Sequence, residues 1–304
     1  MQELTQQIIN GLTLGSIYAL IAIGYTMVYG IIGLINFAHG EIYMLGAFSG
    51  IVAVISLQSI GITFLPLLLA LVFLFAILTT SGYGFLVEKL AYKPLRRSPR
   101  LVPLISAIGM SIFLQNYVAI GQSAKNISLQ PVISTRWDFF SQTPYAFTLS
   151  ALQIIIFVVT LASMIALHLF IKHSRTGKAC RACAEDLGMA QLLGIDTNKI
   201  ISFTFMIGAS LAAVAGVLIA LYYGTVHPNI GFMAGMKAFT AAVLGGIGSI
   251  PGAMLGGFLL GLSENFAGAY FASEYKDVIS FSLLILILLV RPSGILGKPA
   301  VEKV

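Results

Sequence analysis

The polar side chains that could bind a substrate are few, and the most unusual of them interrupt apolar sequence. Asn36, His39 and Glu41 lie in a short stretch between two long apolar runs, among several glycines. Burying a charge at the centre of a bilayer costs roughly 2.5–3.5 kcal/mol, so in a membrane these groups would face water, a cavity or a neighbouring helix. The glycines permit a broken helix that exposes backbone groups to a substrate. A tight turn at the cytoplasmic surface explains the same residues equally well.

A second glycine-rich break occurs late in the chain. Two interrupted segments in opposite halves are typical of transporters built from inverted repeats, although here the glycine spacings differ. We therefore take two groups of residues as candidates for a substrate path or gate. They are Asn36, His39, Gly40 and Glu41 in the first break, and Gly245, Gly246, Gly248, Pro251 and Gly252 in the second.

Lys237 is a lone cation at the start of an apolar run. We expect its long side chain to extend to the external membrane interface, where the ammonium group stays hydrated. Pairing with a carboxylate such as Glu264 inside the bundle is the alternative.

Catalytic motifs are absent from the sequence. Both Gly-Lys pairs lack the glycine spacing and the hydroxyl residue of a phosphate-binding loop, and the four histidines are scattered. Cys180 and Cys183 have the spacing of a redox or zinc motif, but no further ligands lie nearby, so we interpret the spacing as coincidence. We expect no enzymatic activity, and no metal or cofactor bound by this chain.

The composition indicates a membrane protein. Only 9% of the 304 residues are charged, against about 25% in a soluble domain, while 58% are apolar and the mean hydropathy is +0.95. These values exclude soluble enzymes, nucleic-acid-binding proteins and disordered chains. The apolar runs far exceed the ~10-residue alternating segments of an outer-membrane barrel. We predict an all-α, polytopic transmembrane helical bundle that forms a single domain over residues 1–304.

Eight or nine spans are predicted, because two of the nine apolar runs are shorter than the ~20 residues that a crossing needs. Small residues at four-residue spacing, such as Gly11, Gly15 and Ala19, indicate close packing between helices within the chain. The runs are Ile8–Ile32, Ile42–Ile60, Ile62–Val87, Leu101–Ile120, Phe147–Ile171, Ile200–Tyr223, Ala238–Ile250, Ala253–Tyr270 and Val278–Val290.

The distribution of lysine and arginine predicts the orientation. Thirteen of the 17 cations lie in segments 88–100 and 172–199 and in the C-terminal tail, and the loops between them hold only three. The positive-inside rule places these segments and the C-terminus in the cytoplasm, and the N-terminus outside. In the external 121–146 loop, Trp137 beside Phe139 and Phe140 predicts an interfacial anchor; a docking face for an extracytoplasmic partner is the alternative.

The cytoplasmic segment 172–199 contains a pattern of its own. Apolar residues recur at helical spacing and predict a short amphipathic helix that Gly194 terminates, after which Asp196 caps the next helix. Because carboxylates are repelled by anionic lipid headgroups, we favour docking into a cytoplasmic partner over binding to the membrane surface. The candidate docking residues are Arg181, Cys183, Glu185, Asp186, Leu187, Ala190, Leu193 and Gly194.

Four segments together resemble the permease subunits of branched-chain amino-acid ABC importers, and within them the H-type (LivH) subunits. These segments are Tyr18–Ala47, with its N-F-A-H-G-E stretch, Leu104–Asn116, Arg175–Ile195 and Gly231–Gly257. The resemblance covers nearly the whole chain. It implies a type II-importer-like ABC permease fold with inverted-repeat character, in the bacterial inner membrane.

The resemblance also implies partners. Such permeases work as heterodimers of two related membrane subunits, with two cytoplasmic ATPase subunits that hold ATP and Mg, and a periplasmic binding protein that delivers Leu, Ile or Val. The 181–195 segment resembles the coupling helix that sits in a groove of the ATPase. It departs from the general E-A-A-x-x-x-G signature, because Asp follows Glu185 and the glycine comes nine residues later.

Other classes of protein stay open from the residues alone. A permease for other amino acids or small amides would share the same motifs. An ion-coupled secondary transporter would need a buried relay, for which only His39, Glu41, Lys237 and Glu264 are candidates. A channel would need no docking helix.

Overall fold

The computed structural model describes residues 2–96, 98–99, 101–122, 124–139, 147–271 and 274–297. The expectations placed on Arg97, Arg100, Phe140, Lys298 and Lys303 lie outside these residues. The described part of the chain is a bundle of α-helices with a few short strands.

Eleven α-helices occur in the described residues. In a membrane, a long apolar segment is helical because only a helix satisfies its backbone hydrogen bonds within the segment. Six of the helices (α1, α2, α3, α4, α5 and α8) are long and apolar enough to cross a membrane, α9 is a shorter apolar helix, and α10 and α11 consist mostly of apolar residues. The helices are α1 Gln2–Ile32, α2 His39–Ser59, α3 Leu65–Val87, α4 Leu101–Gln122, α5 Ala151–His173, α6 Arg175–Glu185, α7 Leu187–Leu192, α8 Thr197–Tyr223, α9 Ile230–Gly245, α10 Ile250–Tyr270 and α11 Tyr275–Val290.

The nine predicted apolar runs match these nine apolar helices, so the prediction of a helical membrane bundle is confirmed. The boundaries of several runs are wrong. The predicted run Phe147–Ile171 begins four residues before α5, in residues that form a short strand. The predicted run 238–250 begins after Lys237, but α9 begins at Ile230 and ends at Gly245. The error at α9 arose because Lys237 was treated as the end of a hydrophobic stretch, whereas its charge is paired within the structure.

Short strands were missed by the sequence patterns. Arg136–Phe139 (β2) pairs antiparallel with Phe147–Ser150 (β3), and Ile127–Ser128 (β1) pairs with Thr225–Val226 (β4). Trp137 lies in β2 opposite Leu149, and its ring is partly exposed. Two- and four-residue strands are too short to give a periodic signal.

Backbone contacts divide the chain into two units. The first unit comprises residues 1–26, 131–164 and 237–304, and the second unit comprises residues 27–130 and 165–236. The helices α1, α5 and α9 contribute residues to both units.

In the second unit, α2, α3 and α8 form the core. A Cβ on Gly46 would lie 2.5 Å from Ala213 Cα, and one on Gly50 would lie 2.9 Å from the Val217 side chain, so α2 and α8 run in the same direction. The helix α3 runs in the opposite direction, with Ser81 hydrogen-bonded to Ser210 at 2.8 Å.

In the first unit, α1 packs closely on α10. A Cβ on Gly15 would lie 2.8 Å from Phe258 Cα, and one on Gly257 would lie 2.5 Å from Ala19 Cα. The predicted small-residue stripes therefore pack helices within the chain, as expected where lipid provides little hydrophobic drive between helices.

Candidate substrate path and coupling segment

The polar residues of the first break are buried in the second unit. The helix α1 ends at Ile32, and α2 begins at His39. The exposed fractions of Asn36, His39 and Glu41 are 2%, 1% and 1%. Tyr92 donates a hydrogen bond from its hydroxyl to Asn36 Oδ1 at 3.0 Å. The structure therefore brings these predicted residues together in a buried cluster.

The packing of α2 on α8 gives the depth of this break. Gly46 lies against Ala213, so His39, seven residues earlier, lies at the level of Met206. At about 1.5 Å per residue, Met206 is about 13 Å from the start of α8. The burial of Asn36, His39 and Glu41 is compatible with a broken helix within the bundle, and the role of this break in a substrate path stays a prediction.

Glu41 lies where the first turns of α2 and α9 meet. Ser111 on α4 donates a hydrogen bond to Glu41 Oε1 at 3.2 Å. Glu41 Oε2 has no hydrogen-bond partner in the described residues and lies against Gly231, where any Cβ would overlap it. Gly40 is equally confined, since its Cβ would overlap the Gly231 carbonyl and lie 2.8 Å from Gly235 Cα.

A polar network that the sequence analysis missed links the end of α3 to the start of α8. Residues Glu88–Tyr92 form a π-helical turn, and the buried Glu88 carboxylate forms an ion pair with Arg96. Ser202 donates to Glu88 Oε2 at 2.7 Å, and Arg96 donates to Asn198 Oδ1 at 2.7 Å. From the sequence, the cations of segment 88–100 indicate only the orientation. Five cations in one segment look alike in sequence, so the half-buried Arg96 does not stand out among them.

The second break is a tight turn in the first unit. Gly246 and Gly248 have φ of +104° and +94°, which a residue with a side chain rarely adopts. Gly245 and Gly252 are in contact, Pro251 lies in the first turn of α10, and Ser249 caps that helix by accepting a 3.1 Å hydrogen bond from the Gly252 amide. The turn geometry accounts for these residues, and their proposed role in a gate stays a prediction.

Lys237 is paired, so the expectation that it extends to the membrane interface is wrong. Its ammonium group lies 2.6 Å from Glu264 Oε1 and 2.8 Å from Asp277 Oδ1, and Tyr18 donates to Glu264 Oε2 at 2.8 Å. Since both Lys237 and Glu264 are buried, the pair neutralises two charges that the bilayer would otherwise exclude.

We call residues 172–199 the coupling segment, after the coupling helix that part of it resembles. This segment contains two short helices, α6 and α7, instead of the one predicted. Ser174 caps the start of α6. Asp186 caps the start of α7, because its side chain accepts hydrogen bonds from the Gly188 and Met189 amides at 2.8 and 3.0 Å. The acidic residue taken for a surface charge is therefore the cap that separates the helices. Gly194 has φ +81° and Asp196 caps α8, as predicted.

The residues of the predicted docking face divide between two environments. Cys183 and Ala190 are buried, and the second unit already covers them. Arg181, Glu185, Asp186, Leu193 and Gly194 are exposed, and Leu187 is half-buried. The most exposed apolar side chains are Met189 at 57%, Leu192 at 82% and Leu193 at 76%. Met189 and Leu192 lie outside the predicted docking residues, because they do not belong to the apolar repeat that predicted the helix.

The two cysteines are free and buried. Burial raises the pKa of both thiols, which keeps them protonated and unreactive. No group of three metal-ligating side chains occurs among the residues that the structure describes.

Comparisons with known proteins give one consistent result. The family model described as "Branched-chain amino acid transport system / permease component" matches residues 7–288. The chain is 58% identical over 299 residues to the high-affinity branched-chain amino acid transport system permease protein LivH of Salmonella typhimurium, covering 98% of this chain and 97% of that protein. BraD of Pseudomonas aeruginosa, with the same description, is also 58% identical over the same shares.

More distant matches include a second permease protein and one solved structure. The LivM permease protein of Salmonella typhimurium is 29% identical over 93% of this chain and 68% of its own length. The structure of PsaBC from Streptococcus pneumoniae in complex with Fab matches 93% of this chain and 91% of its own, with 14% identity and a TM-score of 0.47, a weak likeness. With its membrane-spanning helices and a family match over almost its entire length, this multi-pass membrane protein belongs to the branched-chain amino acid transport permease family.

Proposed function

We propose that this chain is the membrane-embedded permease subunit of a binding-protein-dependent ABC importer that moves leucine, isoleucine and valine into the cytoplasm. The observation that carries the proposal is the 58% identity over 98% of the chain to permease proteins named for high-affinity branched-chain amino acid transport. At this similarity, the packing of the bundle and the polar side chains within it are expected to be shared.

The proposed assembly contains a second related permease subunit, two cytoplasmic ATPase subunits and a periplasmic substrate-binding protein in a bacterial inner membrane. The similarity to a LivM permease protein supports a second subunit of the same family. In this assembly ATP and Mg bind to the ATPases, and this chain binds no cofactor and no nucleic acid. Its C-terminus is cytoplasmic and its N-terminus periplasmic, following the distribution of lysine and arginine.

The coupling segment supports attachment to the ATPases. Met189, Leu192 and Leu193 present apolar side chains on a short capped helix in a segment rich in cations. Leaving three large apolar side chains in water is unfavourable, and burying each in a partner's groove would contribute roughly 1.5–3 kcal/mol. The exposed Glu185 and Asp186 beside them argue against burial in lipid.

Movement of the coupling segment would reach the first break through α8. That helix begins at the Asp196 cap directly after α7, and it packs along α2 and α3 in the same unit. Closure of the ATPases on ATP would therefore displace α8 and the start of α2 together, and opening would reverse the displacement.

Uptake in cells tests the proposed cargo. A bacterial strain that lacks its own H-type permease but retains the other subunits should regain uptake of labelled leucine, isoleucine and valine when it expresses this chain. An empty vector is the control. Restored uptake of a different amino acid or of a small amide, with none of the three branched-chain amino acids, would refute the proposed cargo.

A further inference from the structure

Glu41 differs from the other buried glutamates in the described residues. Glu88 is paired with Arg96, and Glu264 is paired with Lys237. No lysine, arginine or histidine in the described part of the chain forms an ion pair with Glu41. An ionised carboxylate that is buried without a cation is unfavourable, and among the described residues the Glu41 carboxylate has one side-chain donor, the Ser111 hydroxyl.

The unpaired atom of Glu41 has a defined direction. Ser111 holds Oε1, while Oε2 points at the first turn of α9 and has no hydrogen-bond partner. A Cβ at position 231 would lie against Oε2 and 2.7 Å from the Gly40 carbonyl oxygen, so the backbones of the two first turns approach closely there. The carboxylate thus lies beside the first turns of α2 and α9, where helix N-termini carry a partial positive charge.

This arrangement has the parts that a zwitterion needs. A carboxylate recognises an ammonium group, and helix N-termini within a membrane protein recognise a carboxylate. On α4, four residues beyond Ser111, Gln115 donates a hydrogen bond to Asn229 Oδ1 at 2.7 Å. Since Asn229 is exposed and directly precedes α9, polar groups extend from the surface of the second unit towards Glu41.

We infer that Glu41 is the binding group for the α-ammonium of an amino-acid cargo, in a site formed by the first turns of α2 and α9. The inference rests on the proposed function and assigns a chemical role to one residue of the first break. In this structure the site is closed, because the backbones of Gly40, Gly231 and Gly235 are in contact. Separation of the first turns of α2 and α9 opens it, and the closed contact prevents leakage.

The test uses the complete complex of this chain with its partner permease, ATPases and binding protein, reconstituted in liposomes. Glu41→Gln keeps the shape of the side chain but removes its charge, and we expect leucine uptake to fall about tenfold to a hundredfold. Glu41→Asp keeps the charge and should retain more uptake than Glu41→Gln. Glu274→Gln, which removes an exposed carboxylate before α11, is the matched control and should transport at the wild-type rate.

A measurement on the wild-type complex avoids dependence on variant folding. In detergent and without the binding protein, 3-methylbutylamine, which is leucine without its carboxylate, should raise the melting temperature. The analogue 4-methylpentanoate, which lacks the ammonium group, should have a much smaller effect.

The outcomes separate this inference from the proposed function. If the wild-type complex takes up no leucine, the proposed function fails. If it does so and Glu41→Gln transports equally well, or both analogues stabilise the complex equally, only the assignment of Glu41 is overturned.

Discussion

At the scale of single residues, the buried glutamates of the described residues differ in whether a cation pairs with them. Lys237 and Glu264 are a satisfied pair with Tyr18 as a further donor, which is the arrangement expected of a structural contact. Glu41 has a single hydroxyl donor and no cation. The inferred role of Glu41 in binding cargo rests on this difference in pairing.

Replacing Lys237 with methionine should destabilise the protein. The substitution leaves Glu264 buried without a cation, and breaking a buried pair in this way costs about 3–5 kcal/mol. We expect a lower melting temperature of the detergent-solubilised chain and a lower yield. The double variant Lys237→Met with Glu264→Gln should recover much of the loss, because it leaves no buried charge.

Asp277 is the matched control for this prediction. Its side chain is 46% exposed, so Asp277→Asn should change stability by only about 0–1 kcal/mol. A Lys237→Met variant as stable as the wild type would show that the pair contributes little to stability.

At the scale of secondary-structure elements, the short helix α7 is the proposed site of attachment to the ATPases. One face of it is held by the buried Ala190, and its tip presents Met189, Leu192 and Leu193 to the solvent. The Asp186 cap fixes where α7 begins, and Gly194 lets the chain turn towards α8. The element is therefore rigid at its base and apolar at its tip.

A charge at this tip should uncouple the permease from its ATPases. Leu192→Glu places a carboxylate where we expect an apolar groove, so co-purification of the ATPase subunits and ATP-dependent uptake should both fall about tenfold or more. Leu192→Met keeps an apolar side chain of similar volume and should behave as the wild type. Insertion of the chain should be unaffected, because Leu192 is exposed in the structure. Full ATPase binding by Leu192→Glu would exclude α7 as the docking element.

The elements differ in how far the sequence predicted them. Long apolar runs determine helices by the need to satisfy backbone groups in lipid, so all nine apolar helices were found. The start of α9 was misplaced, because pairing of Lys237 with Glu264 depends on residues 27 positions apart. The break between α6 and α7 and the polar network of Glu88 depend on side-chain hydrogen bonds that no periodicity records.

The candidate site was predicted in part for the same reason. Asn36, His39 and Glu41 were recognisable because polar residues are conspicuous in apolar sequence. Their companions Ser111 and Gly231 were not, since small and hydroxyl residues are common in membrane helices. The face of α7 that is free to meet a partner could not be predicted either. Helical spacing identifies an apolar face, but tertiary packing decides whether this chain or another molecule covers it.

At the scale of the whole molecule, the small number of charged residues explains where the charges lie. Only 9% of the residues are charged. Most of the buried charged residues in the described helices are paired with an opposite charge, and most lysines and arginines lie in the predicted cytoplasmic segments. The sequence carries no phosphate-binding loop motif, and in the proposed importer the ATPase subunits drive the cycle through the coupling segment.

The most direct test of this account is leucine uptake by the reconstituted complex without any ion gradient. Liposomes that contain this chain, its partner permease and the ATPase subunits, with the binding protein outside and ATP inside, should accumulate labelled leucine. Uptake should stop when ATP is replaced by a non-hydrolysable analogue and should be unchanged by ionophores that dissipate proton and sodium gradients. Uptake that needs an ion gradient and proceeds without ATP would contradict the account and identify a secondary transporter.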